Sequence, residues 1–164
     1  MPTSSVGRTS NSRRGVTLVE MMIVVMLLSL MTAITFPSVS SGIDSLRMGS
    51  ACDDIASVLN AALNRAERRQ HPVEIVVSPG ERSITAVSFD SGYRRRIEMP
   101  GNLRISQVLP PAPGDPSAPR HFLLFPGGAP PRLAVVLDNS RGDRRMVRID
   151  PVSGVAFVEK QGPE

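Results

Sequence analysis

The feature that most constrains this chain is an apolar run from Val16 to Phe36, 21 residues with one charged side chain, Glu20. About 20 apolar residues cross a bilayer as a helix. The run therefore reads as a membrane-spanning segment with a carboxylate just inside one end. A charge at the centre of a spanning helix costs roughly 2.5–3.5 kcal/mol on insertion scales, and less near an end. An ionisable group kept at such a cost is a functional-site candidate.

The charges ahead of the run orient it. Arg8, Arg13 and Arg14 precede it, and residues 1–15 contain no acid. By the positive-inside rule the leader stays cytoplasmic and the remainder is exported. The formal net charge is +4, and three of those charges sit in the leader, so overall basicity is weak support for nucleic-acid binding. Glu20 needs a cationic partner inside lipid. Cleavage after Gly15 would supply one, because it creates an α-amino group at Val16. A neighbouring copy of the helix could present that ammonium to Glu20, and only in a fixed stagger. The same carboxylate would then drive assembly and set its register.

Residues 1–12 show no periodicity and read as a leader outside the fold. Pro37 interrupts the apolar run and is expected to kink the helix. Beyond it the pattern becomes amphipathic. Ala51, Ile55, Val58, Leu59, Ala62, Leu63 and Ala66 recur at steps of three and four and make one helix face. Asp53, Asp54, Asn60, Asn64, Glu67 and Arg68 fall off that stripe. Pro72 disfavours helix at His71, so the helix ends near Arg69-Gln70.

From Val73 the texture is β. Candidate strands at Val73–Val77, Ser83–Phe89, Tyr93–Met99 (a polar one with three consecutive arginines), Leu103–Val108, Phe122–Phe125, Leu133–Leu137, Met146–Ile149 and Val155–Val158 alternate with turn signals such as Ser78-Pro79-Gly80, Asp90-Ser91-Gly92 and Pro126-Gly127-Gly128. Pro110 to Pro119 has five prolines in ten residues and must be a loop. With no Trp and a single Tyr, Tyr93, the core has to come from Val, Ile, Leu and Phe. The expected fold class is α+β: a long N-terminal helix, transmembrane in its first half and amphipathic in its second, packed on a small antiparallel β domain.

Signals for catalysis are weak. His71 and His121 are the only histidines, and no Gly-x-Ser-x-Gly elbow follows a strand. The lone Cys52 cannot form an internal disulfide and reads as a small buried hydrophobe. Cys and His are too few for a zinc site. The Asp138-Asn139-Ser140-Arg141-Gly142-Asp143 segment offers oxygen ligands, but Arg141 argues against calcium and a hairpin loop is the better reading. No enzyme, cofactor or metal is expected. Arg94, Arg95 and Arg96 alternate across a strand and mark a solvated or partner-facing edge. Arg141, Arg144, Arg145 and Arg148 form a second basic cluster, interleaved with Asp143 and Asp150. Neither cluster has aromatics for base stacking, so nucleic acid is not the expected partner.

The stretch Arg13-Arg14-Gly15-Val16-Thr17-Leu18-Val19-Glu20-Met21 resembles the type IV prepilin signal: a basic leader, a Gly at the cut, and a Glu five positions into the mature chain. Pro37 falls where many such proteins kink their helix. Val16 departs from the Phe usual at the first mature position. The resemblance implies that a prepilin peptidase cuts after Gly15 and N-methylates Val16. Further on, Phe125-Pro126-Gly127-Gly128, Leu133–Leu137 and Ile149-Asp150-Pro151-Val152-Ser153-Gly154-Val155 resemble the C-terminal domain of the H-type minor pseudopilins of type II secretion and their fimbrial-tip relatives in type IV pili.

On that reading residues 1–15 are the leader, 16–37 the transmembrane and filament-core helix, 38–70 an amphipathic helix, and 71–164 a periplasmic two-sheet β domain. The implied protein is a subunit of the periplasmic pseudopilus, anchored in the bacterial inner membrane and contacting other pseudopilins through helix and β domain. The alternatives are a minor type IV pilin of the fimbrial-tip type, one that binds DNA in uptake among them, and a membrane-anchored periplasmic binding module that never polymerises. A cleaved secretory signal has an apolar region of only 7–15 residues. A twin-arginine signal or a plain anchor has no need of Glu20.

Overall fold

The computed structural model describes residues 15–90 and 92–160, with the backbone alone for 37–41. Leader residues 1–14, Ser91 of the expected turn, and the side chain of Pro37, where the kink was expected, lie outside the described residues. One helix, α1, runs Leu18–Arg69. The chain divides into two compact units, Met1–Ser40 and Ser41–Glu164.

In the first unit, Leu18–Phe36 has a mean hydropathy of 2.2, and none of it is buried. A helix apolar all round belongs in a protein core or in a membrane. Its full exposure rules out the core of this chain. Its three hydroxyls are internally satisfied: Ser29, Thr32 and Thr35 donate to the carbonyls of Val25, Leu28 and Met31 at 2.8, 2.8 and 2.9 Å. Such bonds to the preceding turn leave no unpaired donor facing apolar surroundings.

In the second unit, α1 buries Met48, Ala51, Cys52, Ile55, Val58, Leu59, Ala62 and Ala66. This is the face that the three-and-four spacing predicts, with Met48 and Cys52 added and Leu63 only partly covered. The helix stops because Gln70 turns left-handed (φ 57°), its N–H donating to the Ala66 carbonyl at 2.9 Å, two residues before Pro72.

Eight strands follow: β1 (Val73–Ser78), β2 (Ser83–Ser88), β3 (Arg94–Glu98), β4 (Leu103–Leu109), β5 (Arg120–Leu124), β6 (Ala134–Asn139), β7 (Arg144–Ile149) and β8 (Ala156–Lys160). They form two four-stranded sheets, ordered β3-β2-β1-β5 and β4-β6-β7-β8, with every pairing antiparallel. The fold is α+β. Val73, Ile75, Val77, Ile84 and Ala86 of the first sheet join Leu103, Ile105, Val108, Val135, Leu137, Val147 and Ile149 of the second in one core with the buried face of α1. Each layer thus covers an apolar face that the others would leave wet.

The structure corrects the sequence expectations at several positions. Phe125 and Val155 lie just outside β5 and β8 and are exposed, as is Phe89 at the end of β2. Glycines and prolines set the turns, but strand ends depend on which neighbour offers hydrogen bonds. Asn60, off the apolar stripe, is half-buried against β8. Its amide accepts from the Ala156 N–H at 2.8 Å and donates to the Ala156 carbonyl at 3.1 Å. It thereby serves β8 as a neighbouring strand would.

Candidate processing and assembly site

The site begins at Gly15, where the described chain starts. A Cβ built on Gly15 meets nothing within 4 Å. The fold around residue 15 sets no demand for glycine, so a steric requirement there has to come from something that binds the segment.

Thr17 caps α1. Its hydroxyl accepts from the Glu20 N–H at 3.2 Å, and its carbonyl accepts from the Met21 N–H at 3.2 Å. Thr17-Leu18-Val19-Glu20 has the Thr-x-x-Glu spacing of a capping box. The sequence reading missed this role of Thr17, although the spacing was available to it. Only half of the box forms. The Glu20 N–H is satisfied, while its carboxylate enters no ion pair among the described residues. Glu20 lies in the first helical turn, where the positive end of the helix dipole favours a carboxylate by about 0.3–1 kcal/mol. Val16 precedes the cap, outside the helix, and is exposed. The arrangement is a capped apolar helix whose first turn offers an unpaired carboxylate to a cation from elsewhere.

The other sequence candidates are spread over the second unit. Cys52 is buried, and burial pushes its thiol up to about 11 despite the opposing field of Arg145. A thiol so protonated is a poor nucleophile. The Asp138–Asp143 loop is closed by its own side chains. Asn139 Oδ1 accepts from the N–H groups of Arg141 and Asp143, both at 2.9 Å. Asp138 receives Arg144 at 3.1 Å and Arg104 at 3.8 Å. Among the described residues no group of three or more His, Cys, Asp or Glu could hold a metal. His121 Nδ1 lies 2.8 Å from Glu74, a surface contact across β5 and β1.

The arginine clusters are largely neutralised. Arg96 binds Glu81 and Glu98 at 3.2 and 3.1 Å, Arg141 binds Asp44 at 3.0 Å, and Arg148 binds Glu159 at 3.0 Å. Arg94 and Arg95 are exposed on the edge strand β3.

No curated protein and no solved structure matches the chain. The family model for the prokaryotic N-terminal methylation motif matches residues 10–36, a span that contains the predicted cut, the Thr17 cap, Glu20 and the exposed apolar helix. The chain thus carries a prepilin-type N-terminus on a helix fit for a membrane anchor, and this motif supports a type IV pilin-like protein.

Proposed function

We propose that the chain is a non-enzymatic structural subunit, a minor pseudopilin of the type II secretion system. Prepilin peptidase removes residues 1–15 and methylates Val16. The released subunit waits in the inner membrane with its β domain in the periplasm and then enters the pseudopilus, α1 packing against neighbouring pseudopilins. The observation that carries the reading is Glu20: a carboxylate without an ion-pair partner among the described residues, at the third position of a capped apolar helix and within the span that matches the methylation motif. Leaving it unpaired in lipid is costly. Pairing it with the α-ammonium of a second subunit offsets that cost and works at one stagger only. The β-domain segments that resemble H-type pseudopilins and their fimbrial-tip relatives support a minor subunit of this class.

The test is cross-linking in a host carrying the partner subunits. Glu20→Val is expected to leave membrane insertion unchanged and to reduce cross-links to neighbouring pseudopilins by roughly tenfold, the effect of losing about 1.4 kcal/mol of pairing. Equal cross-linking in the variant would remove the assembly role. Gly15→Leu is expected to block cleavage while the helix still inserts. Mature protein of normal size from that variant would refute processing at this bond.

Exposed Arg94 and Arg95 favour a second reading, a minor type IV pilin that binds DNA during uptake. That reading requires affinity for DNA that falls steeply with salt and weakens in Arg94→Gln/Arg95→Gln. A flat salt response excludes it.

A further inference from the structure

The two faces of the second sheet treat their cations differently. On the outward face of β7 and β8, Arg148 meets Glu159 at 3.0 Å. On the inward face, Ile105, Leu137, Arg145 and Lys160 stand in one cross-strand row, so two cations lie directly opposite each other at its end. Directly opposed residues have Cβ atoms roughly 4.5–5.5 Å apart, and like charges so placed repel. Among the described residues, neither cation has a carboxylate within ion-pair distance.

Arg145 is nevertheless held in place. It is half-buried, and its Nη2 donates to Ser45 Oγ at 3.3 Å. Its Nη1 lies 3.2 Å from where a Cβ on Gly49 would stand. Glycine inside a helix costs about 1 kcal/mol relative to alanine, and at position 49 it leaves room for the guanidinium against α1. Arg145 and Lys160 share the wall of a cavity of about 230 Å³ with Ser45, Met48, Gly142, Asp143 and Arg144. That is room enough for several waters or a small anion. Its one carboxylate, Asp143, accepts from Asn139 Nδ2 at 2.7 Å within the β6–β7 loop. Arg144 is engaged with Asp138. The cavity therefore presents two opposed cations and a hydroxyl, and among the described residues its one carboxylate, Asp143, pairs with neither cation.

We propose that this cavity binds a phosphate group, with Arg145 and Lys160 as its charge partners and Ser45 as a hydroxyl donor. A tetrahedral oxyanion between the cations converts their repulsion into two charge-assisted hydrogen bonds. Ser45 follows the apolar span Leu18–Phe36 by nine residues in sequence, so the phosphodiester of an anionic phospholipid is one source and free phosphate the other.

The test uses the full chain purified in neutral detergent. Inorganic phosphate is expected to raise its melting temperature above chloride at equal ionic strength. Lys160→Gln and Arg145→Gln are each expected to weaken that response roughly tenfold or more, the value of one hydrogen bond to a charged group. The exposed Lys160 carries the test should Arg145→Gln fail to fold. Without phosphate, Lys160→Gln melts no lower than the parent, since it removes a repulsion. Reconstituted in bilayer discs, retention of phosphatidylglycerol over phosphatidylcholine that Lys160→Gln abolishes assigns a lipid source; a response to free phosphate alone assigns a soluble one. An equal response to chloride, an unchanged response in both variants, or a lower anion-free melting temperature in Lys160→Gln would overturn the proposal.

Discussion

The two halves of α1 are one element by backbone and two by side chain. From Leu18 to Phe36 the helix is apolar on every face, and none of it is buried. From Met48 to Ala66 it is apolar on one stripe, and that stripe is the centre of a core shared with both sheets. The same hydrogen-bonded backbone is thus made for two solvents. The second half finds its apolar environment within its own chain. The first half needs lipid or other helices, and its sequence adapts to that need: its hydroxyls bond back to the preceding turn, and its one charge sits in the first turn, where the helix dipole favours it. Fold stability therefore resides in the second half, while the first half carries the prepilin-type motif and a helix fit for a membrane anchor.

The sharpest way to break this contrast is to make the same substitution in both halves. Leu59 is fully buried, whereas Leu27 is 54% exposed. Leu59→Ala is expected to cost about 2–5 kcal/mol, as large-to-small changes in a packed core do. Leu27→Ala is expected to leave the unfolding of the β domain unchanged. Chemical denaturation of the full chain in detergent, followed by the signal of Tyr93, compares them. Similar losses from both would mean that the halves are one cooperative unit and the contrast is false.

Asn60 gives the next effect. It ties α1 to β8 through both backbone groups of Ala156, a buried residue. Asn60→Leu leaves that donor and that acceptor without partners and is expected to cost about 2–3 kcal/mol. Asn60→Asp keeps the acceptor for the Ala156 N–H and loses the donor, so its midpoint should fall between. If Asn60→Leu matched or exceeded the parent in stability, the pairing would be incidental to the packing.

Residues 60 and 156 also show where the sequence stops being legible. The apolar stripe of α1 could be read because its neighbours are three and four residues apart. All eight strands could be located because Pro, Gly, Asn and Asp mark the turns between them. Strand order could not: β5 returns to pair with β1 after β4 has entered the other sheet, and no local pattern encodes that crossing. Asn60 looked like a solvent residue because its partner lies 96 positions away. Phe125 and Val155 looked like strand residues because they are apolar, but burial depends on what comes to cover them. At the N-terminus the reverse holds. The prepilin-type motif over residues 10–36 was legible because its signal is carried by consecutive residues. Thr17 is equally legible through its Thr-x-x-Glu spacing, the mark of a helix cap.

The smallest expected effect concerns the end of α1 where the stripe meets the β2–β3 turn. Arg65 binds both Asp90 oxygens at 3.0 and 2.9 Å and lies 4.3 Å over the Tyr93 ring. Hydrogen bonding from Ser88, followed by the contact with Arg65, outweighs desolvation and holds the Asp90 carboxyl below its ordinary value of 3.8. A carboxyl depressed in the folded state binds its proton more readily in the unfolded one. Its contribution is therefore complete above about 3.8 and is lost as pH falls through the lower folded value. Asp150 behaves likewise, held down by the Val152 N–H and the Ser153 hydroxyl, so acid acts on a turn of each sheet. Asp90→Asn keeps the shape and removes the titration. Between about pH 6 and pH 3 the variant is expected to lose less of its melting temperature than the parent, and the remaining loss falls partly to Asp150. Parallel acid profiles would show that the Arg65–Asp90 contact is a surface pair with no share in holding α1 to the first sheet.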